Sequence, residues 1–168
     1  MQLNHYNTNF KQQTFPITIV CQNVTNAPNI GSLFRTSDAF GVKELVFTGT
    51  EIPLGRKMTK TSRATEKVVN YQVVEDAFGF ISNLKNEGHQ IISLEITDNS
   101  QALHKFNFNL NTPIVLVIGD ENFGVSDNIL SISDAIIHID MFGQNSSMNV
   151  VQATSITLYQ ITKQLNHK

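Results

Sequence analysis

Cysteine is almost missing from this sequence of 168 residues: Cys21 is the single thiol, so no disulfide framework forms within one chain. Because Cys21 closes the apolar run Ile17 to Cys21, it reads as a buried, inert side chain and not as a nucleophile. Long hydrophobic runs are missing too, and none reaches the length a membrane-spanning helix needs. The stretch from Met1 to Thr14 is polar and rich in Asn and Gln, without the basic start and apolar core of a secretion signal. The expectation is a cytoplasmic protein in which residues 1–14 form a polar leader and residues 15–168 one domain. Excess charge of one sign is also absent. A net charge of −2 and a pI near 6.2 argue against nucleic acid being held by bulk electrostatics.

Several catalytic signatures are lacking. Gly119-x-Glu121-x-x-Gly124 follows an apolar strand, but it is not the G-x-G-x-x-G dinucleotide fingerprint, and its acid lies inside the turn instead of about twenty residues on. There is no P-loop. The five histidines show no metal-ligand spacing, so no metal is expected, and His138 on an apolar strand reads as a core or edge histidine. No G-x-S-x-G elbow surrounds Ser146 or Ser147. What remains is a set of backbone amides, asparagines, serines, one carboxylate and one arginine. Such a set suits orienting a reaction whose reactive atom comes from a cofactor.

What is present is ordinary for a folded protein: 40% hydrophobic and 15% charged residues. Phe15 to Val20, Lys43 to Thr48, Gln90 to Glu95, Pro113 to Ile118 and Ala135 to Ile139 read as strands. Helices are expected from Ile30 to Phe40, capped by Asn29 and stopped by Gly41, then over Glu75 to Glu87, from Ser126 to about Leu130, and from Asn149 to Gln164. The stretch Gln101 to Asn111 is ambiguous. Alternating strands and helices imply an α/β domain with a mostly parallel sheet. Ligands of such sheets collect beyond the carboxyl ends of strands, which selects the loops at Asn29, Gly119 and Gly143. The last of these, His138 to Val151, is built from Gly, Gln, Asn and Ser, types suited to a polar ligand that is neutral or cationic. Five of the twelve basic side chains, Arg56, Lys57, Lys60, Arg63 and Lys67, crowd into one segment opposed only by Glu66; that segment is either a phosphate-facing patch or a solvated surface. Arg35 lies off the apolar face of its helix, with Gly31 one turn earlier leaving backbone open beside it and Asp38 placed for an exposed ion pair.

Three segments together resemble the SpoU family of RNA methyltransferases, within the SPOUT class. Asn29-Ile30-Gly31-Ser32-Leu33-Phe34-Arg35, with its helix ending in Phe40-Gly41, resembles the first motif, N-x-G-x-x-x-R. Gly119-Asp120-Glu121-Asn122-Phe123-Gly124 resembles the second, G-x-E-x-x-G. Ile139-Asp140-Met141 with Ser147-Met148-Asn149-Val150 resembles the third, I-P-M followed by S-L-N-V. Asp140 stands where that pattern has proline, and Met148 where it has leucine.

The resemblance implies an α/β fold with a mostly parallel sheet, flanking helices and a deep C-terminal trefoil knot. It implies S-adenosylmethionine as cofactor, held at Leu94, Ile118, Gly119, Glu121, Ile139, Met141, Ser147, Met148 and Asn149. The implied activity is methyl transfer to a ribose 2′-hydroxyl of tRNA or rRNA, with Arg35, Asn29, Glu121, Ser147 and Asn149 as the catalytic group. A guanidinium keeps its proton at ordinary pH, so Arg35 is expected either to clamp the phosphate beside the target ribose or to act as base in a desolvated complex. RNA would be held by Arg35, Arg56, Lys57, Lys60 and Arg63, and the chain would pair as a homodimer through its first and last helices. Two alternatives are a non-catalytic RNA-binding or assembly factor on the same fold and a methyltransferase acting on a base nitrogen.

Overall fold

Runs of apolar residues without alternation suit strands covered on both faces, and such runs form the middle of the sheet. The computed structural model describes residues 8 and 10–166; of the leader, residues 1–7 and 9 lie outside the described residues. In chain order the elements are β1 (Phe15–Gln22), α1 (Ala27–Ala39), β2 (Val42–Thr48), α2 (Arg56–Ser62), a 3-10 turn (Thr65–Lys67), β3 (Tyr71–Val74), α3 (Ala77–Asn86), β4 (Gln90–Leu94), β5 (Gln101–Ala102), a 3-10 turn (Leu103–Lys105), β6 (Ile114–Ile118), α4 (Asp127–Ile132), β7 (Ala135–His138) and α5 (Val150–Asn166). The seven strands lie in the order β3-β2-β1-β6-β4-β7-β5, and every pairing is parallel.

The two-residue period of a strand sorts this sheet into two cores. Ile17, Ile19 and Cys21 of β1, Leu45 and Phe47 of β2, and Leu116 and Ile118 of β6 face one side, where Ile30, Leu33 and Phe34 of α1 and Leu158 and Ile161 of α5 cover them. Val20, Val46, Val115 and Val117 face the other side and meet Ile81 of α3 and Ile129 of α4. Burial raises the Cys21 thiol far above its usual range, in keeping with an inert core side chain.

Two expected elements changed, and helix α2 and the edge strands β3 and β5 were not anticipated. The first helix starts at Ala27, and its cap is Asn26, whose Oδ1 accepts the Asn29 N–H at 3.1 Å. Pro28 fits inside that first turn because an amide there has no partner within the helix; Asn29 is therefore helical and its side chain is free for other work. Ser126 sits at the head of α4 without capping it, because its hydroxyl donates to Asn128 Oδ1 at 2.6 Å and accepts from Gln22 Nε2 at 2.7 Å. The edge strands β3 and β5 are short and partly exposed, so they carry no apolar run. Gly41 does stop α1: its φ of +61° is left-handed, which favours glycine.

Phe34 packs between Phe47 and Tyr71, tilted against the first and edge-to-face with the second, with ring centroids 5.5 and 5.0 Å away, and so fixes the helix that carries its neighbour Arg35. Phe34→Ala should cost about 3–5 kcal/mol, read as a lowered urea midpoint; a loss below about 1 kcal/mol would mean that this packing does not anchor α1.

Candidate active site

Because β4 lies between β6 and β7, three parallel carboxyl ends open side by side onto a cavity of about 740 Å³. Leu94 ends β4, Ile118 ends β6 and His138 ends β7. All nine residues expected around a cofactor line this cavity: Leu94, Ile118, Gly119, Glu121, Ile139, Met141, Ser147, Met148 and Asn149. Its wall also carries Glu95, Asp120 and Asp127 but no lysine or arginine, so the lining is acidic.

The loop after β6 is shaped by its two glycines. A Cβ on Gly119 would overlap the Gly124 backbone, and one on Gly124 would overlap the Glu95 carboxylate. Gly124 has a φ of +66°, its N–H donates to the Asp120 carbonyl at 2.8 Å, and Asp120 Oδ1 accepts the Asn122 and Phe123 N–H groups at 2.9 and 3.2 Å. Glu95 secures the far side of the turn: its Oε2 accepts the Val125 N–H and its Oε1 the Ile96 N–H, both at 2.9 Å. The sequence reading missed Glu95, for which a carboxylate placed just past a buried strand was the available signal.

Three distant segments meet at Glu121. Its Oε1 accepts Asn29 Nδ2 at 2.8 Å and Asn149 Nδ2 at 3.0 Å, and Asn149 Nδ2 lies 3.2 Å from Asn29 Oδ1. Asn149 Oδ1 in turn accepts the Val151 N–H at 3.0 Å at the start of α5. Ser147 is exposed on the cavity wall.

Arg35 follows Asn29 along α1 by six residues, about 9 Å of helix rise. It is exposed, and the Asp38 ion pair does not form: among the described residues Lys85 pairs with Asp134, and the imidazoles of His104 and His138 lie near Asp140. Gly31 does not leave backbone open beside Arg35. It is buried, and a Cβ there would overlap Thr61 Oγ1 and the Met58 carbonyl of α2. The glycine is the notch that lets α2 lie against α1. Arg56, Lys57 and Lys60 on α2 and Arg63 after it are exposed, whereas Met58 and Ser62 face inward. Arg63 and Ala64 both take left-handed backbone angles, φ 51° and 69°, in a turn that Thr65 Oγ1 braces by donating to the Ser62 carbonyl at 2.7 Å. A hydrogen bond from the Ser62 hydroxyl holds the Glu66 carboxyl below its ordinary pKa, which engages the one acid opposing this cationic segment.

Asp140 lies close to two imidazoles, His104 Nδ1 at 3.0 Å and His138 Nε2 at 3.4 Å. His138 Nδ1 lies 2.9 Å from Ser100 Oγ, so this histidine is a partnered side chain that also lines the cavity.

The family model described as SpoU rRNA Methylase matches residues 16–159. The tRNA (guanosine(18)-2'-O)-methyltransferase of Aquifex aeolicus is 31% identical over 152 residues, covering 90% of this chain and 71% of that protein. The protein of the same name from Escherichia coli K12 is 27% identical, and the chain spans 63% of its length. Among solved structures, the A. aeolicus TrmH/SpoU tRNA modifying enzyme superposes with a TM-score of 0.83 at 30% identity, over 94% of this chain and 78% of that one. An AdoMet-bound rRNA methyltransferase from Sinorhizobium meliloti shares the fold, with a TM-score of 0.83 at 20% identity over 93% of this chain and 59% of that one.

Gly31→Val should force α2 off α1 at a cost of about 1–3 kcal/mol, with amide hydrogen exchange accelerating first across Arg56–Ser62. Unchanged exchange there would refute the notch.

Proposed function

Since this chain belongs to the SpoU rRNA methylase family, we propose that it transfers the methyl group of S-adenosylmethionine to a ribose 2′-hydroxyl of tRNA or rRNA. The observation that carries this reading is the junction of Asn29, Glu121 and Asn149 at the rim of an acidic cavity. Residues 15–168 act as one methyltransferase domain, working with its RNA in the cytoplasm. No helix among the described residues is long and apolar enough to cross a membrane.

The cavity fits the cofactor by charge. A sulfonium and an ammonium outweigh one carboxylate, and Glu95, Asp120, Glu121 and Asp127 on the wall favour such a net cation. Leu94, Ile118, Gly119, Ile139, Met141 and Met148 would hold it mainly through backbone groups, with Ser147 closing the loop side. When bound, the cofactor supplies an electrophilic methyl group whose sulfur loses its positive charge on transfer. The chain's own residues orient and desolvate. Glu121 fixes Asn29 and Asn149 relative to one another, and these amides aim the ribose. Arg35, with no ion pair of its own among the described residues, offers a planar fork for the neighbouring phosphate; that phosphate assists removal of the 2′-proton. Alignment supplies most of the acceleration.

Exposed cations of α2 extend the phosphate-binding surface beside α1. Ile156 and Tyr159 form a second apolar stripe on α5, 43% and 61% exposed, and Thr36 Oγ1 meets Ser155 Oγ at 3.3 Å where α1 and α5 pack. The homodimer uses these two helices, and the loop after β7 threads as the trefoil knot of the family.

Arg35→Ala should lower methyl transfer to tRNA from a strain deleted for this gene by at least about 100-fold, while cofactor affinity measured by calorimetry stays within about twofold. Equal loss of both would overturn the role of Arg35, and an inactive wild-type protein would overturn the activity. Charge reversal at Arg56, Lys57, Lys60 and Arg63 should weaken RNA binding and flatten its salt dependence, by roughly 0.7–0.9 in log–log slope for each phosphate no longer neutralised. An unchanged slope would remove α2 from the interface.

A further inference from the structure

Two large apolar side chains beside the site are left almost entirely in solvent: Phe123 is 90% exposed and Phe142 is 96% exposed. Phe123 lies two residues after Glu121 in the turn after β6, and Phe142 follows Met141 in the loop after β7. Since β4 separates β6 from β7, the two loops leave the sheet on opposite sides of the cavity's central strand. Neither ring is pushed out by a failure of the turn beneath it. The Phe123 N–H is bonded to Asp120 Oδ1 at 3.2 Å, and the Phe142 loop begins at Asp140, which His104 and His138 hold.

We propose that Phe123 and Phe142 are stacking platforms for unpaired nucleobases of the RNA, one on each side of the methyl-donor cavity. This rests on the RNA methyltransferase reading above and adds to it where the bases go. The charge map selects this occupant. From Phe142 to Ser147 the rim has no charged side chain, so it offers phosphate no cation, whereas the exposed cations Arg35, Arg56, Lys57, Lys60 and Arg63 stand on or against α1. An RNA strand presents phosphates on one edge and flat apolar faces on the other, and single-stranded RNA is recognised largely through aromatic stacking on splayed bases. Gln144 and Asn145 beside Phe142 add donors and acceptors for base edges.

The test uses the full-length protein, an oligoribonucleotide carrying 2-aminopurine and an unmodified tRNA transcript. Wild-type protein should quench the 2-aminopurine emission. Phe123→Ala and Phe142→Ala should each lose quenching and bind RNA about 5- to 150-fold more weakly, with the defect unchanged between low and high salt and cofactor affinity intact. Tyrosine at the same position should restore binding, and leucine should not. The proposal is overturned at either position if the alanine variant binds RNA like wild type, or if leucine restores binding fully, since the ring then only covers apolar surface. It is equally overturned if sedimentation shows that the alanine variant loses dimerisation and the RNA defect tracks that loss, which would assign the ring to a second copy of the chain. Failure of the methyltransferase reading registers separately, as a wild-type protein that transfers no methyl group whatever its quenching.

Discussion

Parallel pairing of β4 between β6 and β7 is the constraint on which the site depends. Antiparallel neighbours would send alternate loops to opposite edges of the sheet; here three successive carboxyl ends open together, and loops from three parts of the sequence share one cavity. The arrangement demands strands buried on both faces, which is why β6 is apolar throughout its length. It also demands loops able to approach closely. Gly119 and Gly124 meet backbone to backbone, and the carboxylate of Glu95, just beyond β4, ties that turn to its own strand.

Charge is partitioned over short distances, and this resolves the apparent conflict between a net charge of −2 and a polyanionic substrate. Acids line the cavity proposed for the cationic cofactor. Exposed cations occupy an outer helix, the surface proposed for phosphates. At physiological ionic strength the screening length is about 8 Å, so neither group is governed by the sum over the whole molecule. Gly31 links the two regions, because the notch it makes in α1 sets the basic helix beside the turn of helix that carries Asn29.

Most of what local chemistry dictates was legible in the sequence. The strands of the sheet's middle are long apolar runs, Gly41 ends α1, and the three motif peptides place the cavity's lining. What escaped depends on bonds and packing between residues far apart in the chain. Asn29 has the chemistry of a helix cap, and only its bond to Glu121, 92 positions on, shows that the side chain is used elsewhere. Gly31 suggested open backbone until α2 was found lying across it. Strand β3, alternating between exposed and half-buried residues, gains its identity from β2 alone. Glu95, a carboxylate just past a buried strand, and His104 both act through partners that sequence spacing does not reveal.

Asp140 stands where the resembling motif has proline, and the two residues place the chain by different physics. A proline fixes its own φ covalently, whatever surrounds it. Asp140 has no such restriction, and its side chain has neighbours from outside the loop: one carboxylate oxygen faces His138, two residues back, and the other faces His104, from the 3-10 turn after β5. Strand β5 is two residues long and pairs only with β7, while Leu103 just after it is buried in the main core, so the stretch from Ser100 to Lys105 is anchored both by the end of β7 and by the core. The loop after β7 therefore starts beside two imidazoles, one from its own strand and one from the 3-10 turn after β5. That makes the edge of the sheet at β5 a part of the cavity's architecture, even though Gln101 and Ala102 do not line the cavity themselves.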